Sequence, residues 1–538
     1  CPSREKRGWT GDGGHAAEAL MLNFNMGAPY AKWLDDVDNA ACAAHHVPNI
    51  APGNFHLQAH GDCFGINDPG WESGFVDVLH WTHRYNGDEA ALALHWSAMQ
   101  GSFAYLGSFV SNATGDILTV TGEPGTNLGD WCAPSGNVSV PTSGKHLSNI
   151  ISGYFWIRQL ETMAATARLM GNNTAEVDFI ARAGIARTIF GKLYFDSERG
   201  VFRDPDWVPE WGAQVMQTEQ ALAITLCLDL QDGYGYDAAR MPVPIVAPAD
   251  VKRAAAALAA NVSAGLNAGM VGIKHVFSAL AATGHGDVAL AALTSTSYPS
   301  YGYMLANGEG TLWEHWEGAE RNLVDSRNHI MLGSSGQFLY QRVAGIDVGR
   351  GGVAFNRVAI APLAAASAIL RGVDATVGTP RGAVVVSWRV LRDEPELCGE
   401  AAEMNGQGAP VHFVCPPNST ISTIAFASYG TPTGTCADAD ALTIDPTCNA
   451  PSSLAVANAS CVGKQSCTLF ANDTQFGGVD PCHGVRKRLV IAGSCANACA
   501  PHYILNATVP GGSNATITLP DEGSETAVVI TESGIPIF

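Results

Sequence analysis

Two short stretches, Arg4-Glu5-Lys6-Arg7-Gly8-Trp9-Thr10-Gly11-Asp12 and Thr311-Leu312-Trp313-Glu314-His315-Trp316-Glu317, gather carboxylates, cations and indoles in a 538-residue chain that is only 15% charged. Cleavage of a glycosidic bond needs one carboxylic acid to protonate the departing oxygen and a second carboxylate to activate water or attack the sugar. Glu5 and Glu314 are candidates for those two posts. A pyranose carries apolar C–H patches that stack on aromatic faces, so Trp9, Trp313 and Trp316 are candidate walls. The competing reading is ordinary: an indole is more often core than platform, and two distant Glu residues are more often surface charges.

The elements that must position these residues are mostly helical. From about Gly14 to Ile346 apolar residues recur at helical spacing, as in Ala17, Leu20, Met21 and Phe24, and again through Ile151, Tyr154, Phe155, Ile157, Leu160 and Met163. The same reading predicts helices over 89–106, 174–194, 214–230, 251–266, 273–282, 288–294 and 329–343. A toroid of paired helices and another large helical array both fit this periodicity. After Ile346 short alternating runs such as Val353 to Ala361 and Ala383 to Val390 indicate β structure, and strand-like sequence returns in Tyr503 to Val509 and Ala515 to Leu519.

Composition narrows the partners. Thirty Lys and Arg against 50 Asp and Glu give a formal charge of −20, which repels nucleic acid and suits an uncharged partner such as a glycan. No apolar run approaches a membrane span. Asn112, Asn137, Asn172, Asn261, Asn418, Asn458, Asn472, Asn506 and Asn514 each open an Asn-x-Ser/Thr triplet. Nine of the 14 cysteines fall between Cys398 and Cys499, a density typical of disulfide scaffolds in oxidising compartments. The expectation is a secreted or cell-surface glycoprotein whose signal peptide lies outside this chain. No cofactor is expected, and none of the 16 His residues, His45-His46, His80 and His83 included, forms a recognisable metal-ligand motif.

The segment from Cys1 to Asp12 resembles the opening of the catalytic domain of α-L-rhamnosidases of glycoside hydrolase family 78. The resemblance continues through Tyr30-Ala31-Lys32-Trp33-Leu34-Asp35-Asp36-Val37, Trp71-Glu72-Ser73-Gly74, Arg84-Tyr85-Asn86-Gly87-Asp88, Gly129-Asp130-Trp131, Tyr298-Pro299-Ser300-Tyr301-Gly302-Tyr303, the Glu314 stretch and Asn328-His329. It implies an (α/α)6 helical barrel that hydrolyses terminal α-L-rhamnosides with inversion. By this likeness Glu5 is the general acid, Glu314 the general base, Asp12 and His329 contact sugar hydroxyls, and Trp9, Trp71 and Trp131 line the rhamnose pocket. The family pattern has an Asp before the Cys-Pro pair and further N-terminal β domains, so the expectation is either a fragment or processed chain or an essential contact that comes from elsewhere.

The cysteine-rich block resembles a galactose/rhamnose-binding lectin domain of the sea-urchin-egg-lectin (SUEL) type, through Cys398-Gly399-Glu400, Cys415-Pro416, Phe426-Ala427-Ser428-Tyr429-Gly430, Cys461 to Cys467 and Asp480-Pro481-Cys482-His483-Gly484. The likeness implies the disulfides Cys398–Cys436, Cys415–Cys495, Cys448–Cys482 and Cys461–Cys467. It also implies sugar contacts from Glu400, Tyr429, Gly430 and Lys487, with Thr431 standing where an Arg often follows. The flanks of this block look like consecutive parts of the rhamnosidase β-sandwich, so the lectin is expected as an insertion. The resulting expectation is a multidomain chain: a helical barrel over 1–345, a β-sandwich over 346–394 and 500–538, and a small disulfide-rich α/β lectin domain over 395–499. Rhamnose- or galactose-containing glycans are the expected partners.

Overall fold

The computed structural model describes residues 6–41, 47–52, 68–111, 115, 128–134, 148–206, 216–228, 244–317, 326–391, 397–403, 408–415, 419–436, 438–496, 502–519, 531–532 and 535–536. The chain divides into two compact units, one formed by Cys1–Trp388 with Leu505–Phe538 and the other by Arg389–Ile504.

The first unit is built on packed helices. The helix Asn149–Leu169 is buried continuously from Ile150 to Ala167 and packs along Asn173–Tyr194 and Gln217–Leu228. A helix enclosed on every side needs an apolar circumference, and its few charges must be paired. Here Glu161 accepts from Arg158 at 3.0 Å and from Arg187 at 2.9 Å. Gln217–Leu228 continues the packing against Pro248–Ser263 and Ile273–Ala282.

Local chemistry sets the helix ends. Asp88 caps Glu89–Leu94 by accepting from the Ala91 amide at 2.9 Å, and Asn172 caps Asn173–Tyr194 by accepting from Ala175 at 3.1 Å. Gly87, at φ 75°, supplies the left-handed residue that ends Gly74–Asn86.

Several expected helices are modified. The 89–106 segment breaks into Glu89–Leu94 and Trp96–Gly107 at His95, whose Nδ1 lies 2.8 Å from Asp38 Oδ2. The 329–343 segment is a 3₁₀ turn over Met331–Ser335, one short helical stretch and a π-helix over Leu339–Ala344. Phe24, placed by periodicity on the apolar face, is the exposed residue just past Ala17–Asn23.

Two small sheets follow. Ile346–Val348 pairs antiparallel with Arg357–Ile360, which pairs in parallel with Asn514–Ile517. Gly372–Thr379, Gly382–Leu391 and His502–Thr508 make the second. The first sheet is tied to the helices: Arg84 Nη2 donates to the Val348 carbonyl at 3.1 Å, and the Ala354 amide donates to the Arg84 carbonyl at 2.8 Å.

In the second unit Arg488–Ala496 lies between Leu397–Ala402 and Thr420–Gly430, antiparallel to both, and Pro410–Val414 pairs with Ser466–Phe470. The helix Ser453–Cys461 completes a core that includes Phe413, Ile421, Tyr429, Leu469, Phe476 and Leu489. Disulfides join Cys398 to Cys436, Cys415 to Cys495, Cys448 to Cys482 and Cys461 to Cys467, the same four pairs that the lectin resemblance implies. For a unit this small, such cross-links supplement a limited core. Cys1, Cys42, Cys63 and Cys499 lie outside the described residues, and Cys132 and Cys227 are not disulfide-bonded.

Candidate active site

The second carboxylate stretch is held against a later segment of the chain. The Glu314 amide donates to the Ser326 carbonyl at 2.8 Å, and the His329 amide donates to the Leu312 carbonyl at 2.9 Å, so 312–314 and 326–329 run against each other. The Ser326 amide also donates to Glu314 Oε2 at 2.8 Å, which orients a carboxylate that is otherwise buried. From the same ladder the His329 ring crosses to the N-terminal segment, its Nε2 3.2 Å from Asp12 Oδ1. The Met331 amide donates to His329 Nδ1 at 3.4 Å, so the proton of a neutral ring sits on Nε2, facing Asp12.

Two buried aspartates fix the opposite side. Asp68 accepts from the amides of Leu128 at 3.0 Å and Gly129 at 2.6 Å, as well as Gly70 at 2.9 Å. Its carboxyl is held above the usual carboxylate range by burial, against the opposing pull of these amides. Asp130 accepts from Gly269 at 2.7 Å, Val271 at 2.8 Å and Gly272 at 3.0 Å, and from the Thr218 hydroxyl. Residues 128–132 are thereby clamped between distant parts of the helical unit.

Trp71 connects that clamp to the first stretch. Its indole donates to the Gly129 carbonyl at 3.2 Å, and its six-membered ring lies so close to Gly11 that an added Cβ would meet Cε3 at 2.3 Å. Trp71 is 4% exposed and serves as a buried brace between these segments. Trp131 is half-buried and edge-on to His315, with ring centroids 6.1 Å apart. Trp9 is also half-buried and bridges to Ile50. Trp313 and Trp316 are core residues, and the Trp316 indole donates to the Ala268 carbonyl at 3.0 Å. Glu5 lies outside the described residues.

Behind this arrangement lies a group of buried titratable residues that sequence reasoning did not single out. His15, edge-on to Trp71, is pushed down to about 3 by burial and then by the Lys274 charge. Asp77 is pushed up to about 6, burial outweighing a hydrogen bond from Ser73 and the cations Lys274 and Arg158. Lys274 itself is paired with Glu18 at 3.4 Å.

In the lectin-like unit the expected sugar contacts are engaged internally. Tyr429 is fully buried, stacks on Phe476 and donates its hydroxyl to Asp473 at 2.9 Å. Lys487 is buried with its ammonium 3.0 Å from Asp480 and 3.3 Å from Glu403. Glu400 pairs with Arg488 at 2.8 Å, and Gly430 packs against Cys448, where a Cβ would come within 1.9 Å of the carbonyl oxygen. Glu403, Asp473, Asp480 and Arg488 are thus the partners that sequence reasoning missed; the acceptors come from segments whose approach no local pattern records.

Among the sequons, Asn172, Asn506 and Asn514 are exposed, and Asn458 and Asn472 are half-buried. Asn261 Oδ1 accepts from Gln217 at 2.8 Å and Asn267 at 3.0 Å, an internal cross-link rather than a free surface amide. Asn112, Asn137 and Asn418 lie outside the described residues.

A helical unit that joins a buried, oriented carboxylate to an Asp–His pair beside indoles defines a protein of the helical-barrel glycosidase class. Residues 1–343, more than half of the chain, match the bacterial alpha-L-rhamnosidase six-hairpin glycosidase domain, and the chain belongs to that family. Residues 413–495 match the D-galactoside/L-rhamnose binding SUEL lectin domain. The chain is 27% identical over 399 residues to an alpha-L-rhamnosidase of Streptomyces avermitilis, covering 72% of this chain and 33% of that protein. Its fold is similar to an alpha-L-rhamnosidase from Dictyoglumus thermophilum (TM-score 0.59, 18% identity, 92% of this chain and 46% of that one). It is also similar to the Streptomyces avermitilis enzyme solved with L-rhamnose (TM-score 0.55, 20% identity, 90% and 38%). The chain therefore spans less than half the length of each of these relatives. Among the described residues no helix is long and apolar enough to cross a membrane.

Proposed function

We propose that this chain carries the catalytic barrel of an extracellular, inverting α-L-rhamnosidase, with Glu5 as general acid, Glu314 as general base, and an inserted lectin domain that holds the enzyme on a glycan. The observation that carries this reading is the ladder of 312–314 with 326–329. It orients Glu314 through the Ser326 amide and directs His329 to Asp12 on the helix Thr10–His15, so the base and one of the two hydroxyl-binding groups share one support and the other is held against it. That a relative of the same fold was solved with L-rhamnose supports rhamnose as the sugar.

In the proposed reaction Glu314 removes a proton from water as it attacks the anomeric carbon, while Glu5 protonates the departing glycosidic oxygen. The two carboxyl groups then stand about 6.5–9.5 Å apart to admit that water. Asp12 and His329 grip ring hydroxyls, an interaction that strengthens as the ring flattens. The division into barrel, split sandwich and lectin, secretion or display at the cell surface, and occupied sequons belong to the same proposal.

The direct test is the anomeric configuration of the first sugar released from an aryl α-L-rhamnoside, followed by proton NMR. β-L-rhamnose appearing first supports inversion; α-L-rhamnose appearing first overturns it. Glycan binding with no turnover favours the second reading, a non-catalytic glycoprotein that reuses both modules.

A further inference from the structure

Beside the proposed base lie a thiol and an imidazole that the hydrolytic mechanism does not use. Cys132 is fully buried, and its Sγ lies 3.2 Å from His315 Nε2. The thiol, that imidazole nitrogen and a Glu314 carboxylate oxygen all lie within 4.8 Å of one another. These are three different donor types, brought from segments 183 residues apart.

We propose that Cys132, His315 and Glu314 form a binding site for a thiophilic divalent cation, zinc being the ion their chemistry fits, and that its occupancy switches hydrolysis off. The switching half rests on the role proposed for Glu314; the binding half does not.

The donor set selects the ion. Thiolate with imidazole suits borderline-soft cations such as zinc, whereas magnesium and calcium prefer all-oxygen shells. Zinc–sulfur and zinc–nitrogen bonds of about 2.3 and 2.0 Å place the two donors roughly 3.6 Å apart in a tetrahedron, so the observed pair opens by only a few tenths of an ångström. Three protein ligands leave the fourth position for water.

Cys132 is held where it is at some cost. Its φ of 61° places a non-glycine residue in the left-handed region, worth about 1 kcal/mol of strain. The flanking residues impose it: Asp130 is anchored by three backbone amides, and the Trp131 carbonyl accepts from Met270 at 2.9 Å. His315 is fixed from the other side by the Glu314–Ser326 pairing. On binding, the cation takes the place of the thiol proton, which leaves to solvent, and the Glu314 oxygen becomes a ligand and ceases to be a base.

The test titrates cobalt(II), then zinc, into the intact chain. Wild type should develop a thiolate-to-cobalt charge-transfer absorption that saturates at one equivalent and is displaced by zinc. Cys132→Ser should lose that band, and His315→Gln, which removes a ligand itself, should weaken binding by at least the roughly 100-fold that loss of an outer-shell partner can cost. Zinc should lower hydrolysis of an aryl α-L-rhamnoside at least tenfold, reversed by a chelator, and the ratio of zinc-treated to chelator-treated rates should return to one in Cys132→Ser. No band in wild type, or an unchanged band in Cys132→Ser, overturns the site. Binding with the rate unchanged overturns the switch and leaves the site standing; the role of Glu314 as base then stands or falls with the rate of Glu314→Gln, a separate measurement.

Discussion

His329 Nε2 and Asp12 Oδ1 lie 3.2 Å apart, joining the segment that carries Glu314 to the segment that opens the described chain. The pair does what neither stretch can do alone: it fixes the short helix Thr10–His15 against the loop that carries His329, contributed by opposite ends of the helical unit. With the ring proton on Nε2, His329 donates to Asp12, and the carboxylate keeps its remaining acceptor positions for hydroxyls.

Breaking this pair should impair turnover without unfolding the protein. Asp12→Ala or His329→Ala is expected to lower kcat/KM for an aryl α-L-rhamnoside by about 10- to 100-fold, the scale of one charge-assisted hydrogen bond. Steady-state kinetics beside circular dichroism checks it; an unchanged kcat/KM in both variants contradicts the role.

Asp130 should matter to stability more than any surface carboxylate. Asp130→Ala leaves the amides of Gly269, Val271 and Gly272 buried without their acceptor, and a loss of about 3 kcal/mol or more is expected in urea denaturation.

Gly11 has no room for a side chain, because its Cβ would sit 2.3 Å from the Trp71 ring. Gly11→Ala is expected to cost about 1–3 kcal/mol, the usual scale of overpacking, and to displace the brace that reaches Gly129. A melting temperature equal to wild type would show that Trp71 is not fixed.

Acid should destabilise the helical unit through its buried histidines. His15 is pushed down to about 3, and His80 and His275 well below the usual imidazole range, burial being the main cause in all three. The unfolded chain binds these protons below about pH 6.5 while the folded chain does not, so stability falls as pH drops, by about 1.4 kcal/mol per pH unit for each group. Asp77 works in the opposite sense: its folded value of about 6 means stability falls as pH rises from about 4 to 6. Asp77→Asn should therefore raise stability at pH 7.5 and lose that gain below pH 4, measured by urea denaturation across the range.

Helix existence was readable in the sequence where a stripe of apolar residues recurs, as over Ile273–Ala282, because burial of one face is what the period records. Breaks were not readable where a distant partner causes them. His95 interrupts a continuous pattern because its ring turns to Asp38, 57 residues away. Likewise Glu314 and Asp12 stand out as candidates from their motifs, whereas the acceptor role of Asp130 and the approach of Cys132 to His315 depend on chain crossings that no spacing encodes. Trp71 carries a role that the motif did not show: its buried indole braces Gly11 and the Gly129 carbonyl.

The central claim is that Glu314 activates water. Glu314→Gln keeps the side chain's shape and can still accept from the Ser326 amide, but it cannot take a proton. Hydrolysis of an aryl α-L-rhamnoside by this variant is expected to fall by about 10²- to 10⁴-fold with folding intact; a rate within tenfold of wild type would contradict the assignment.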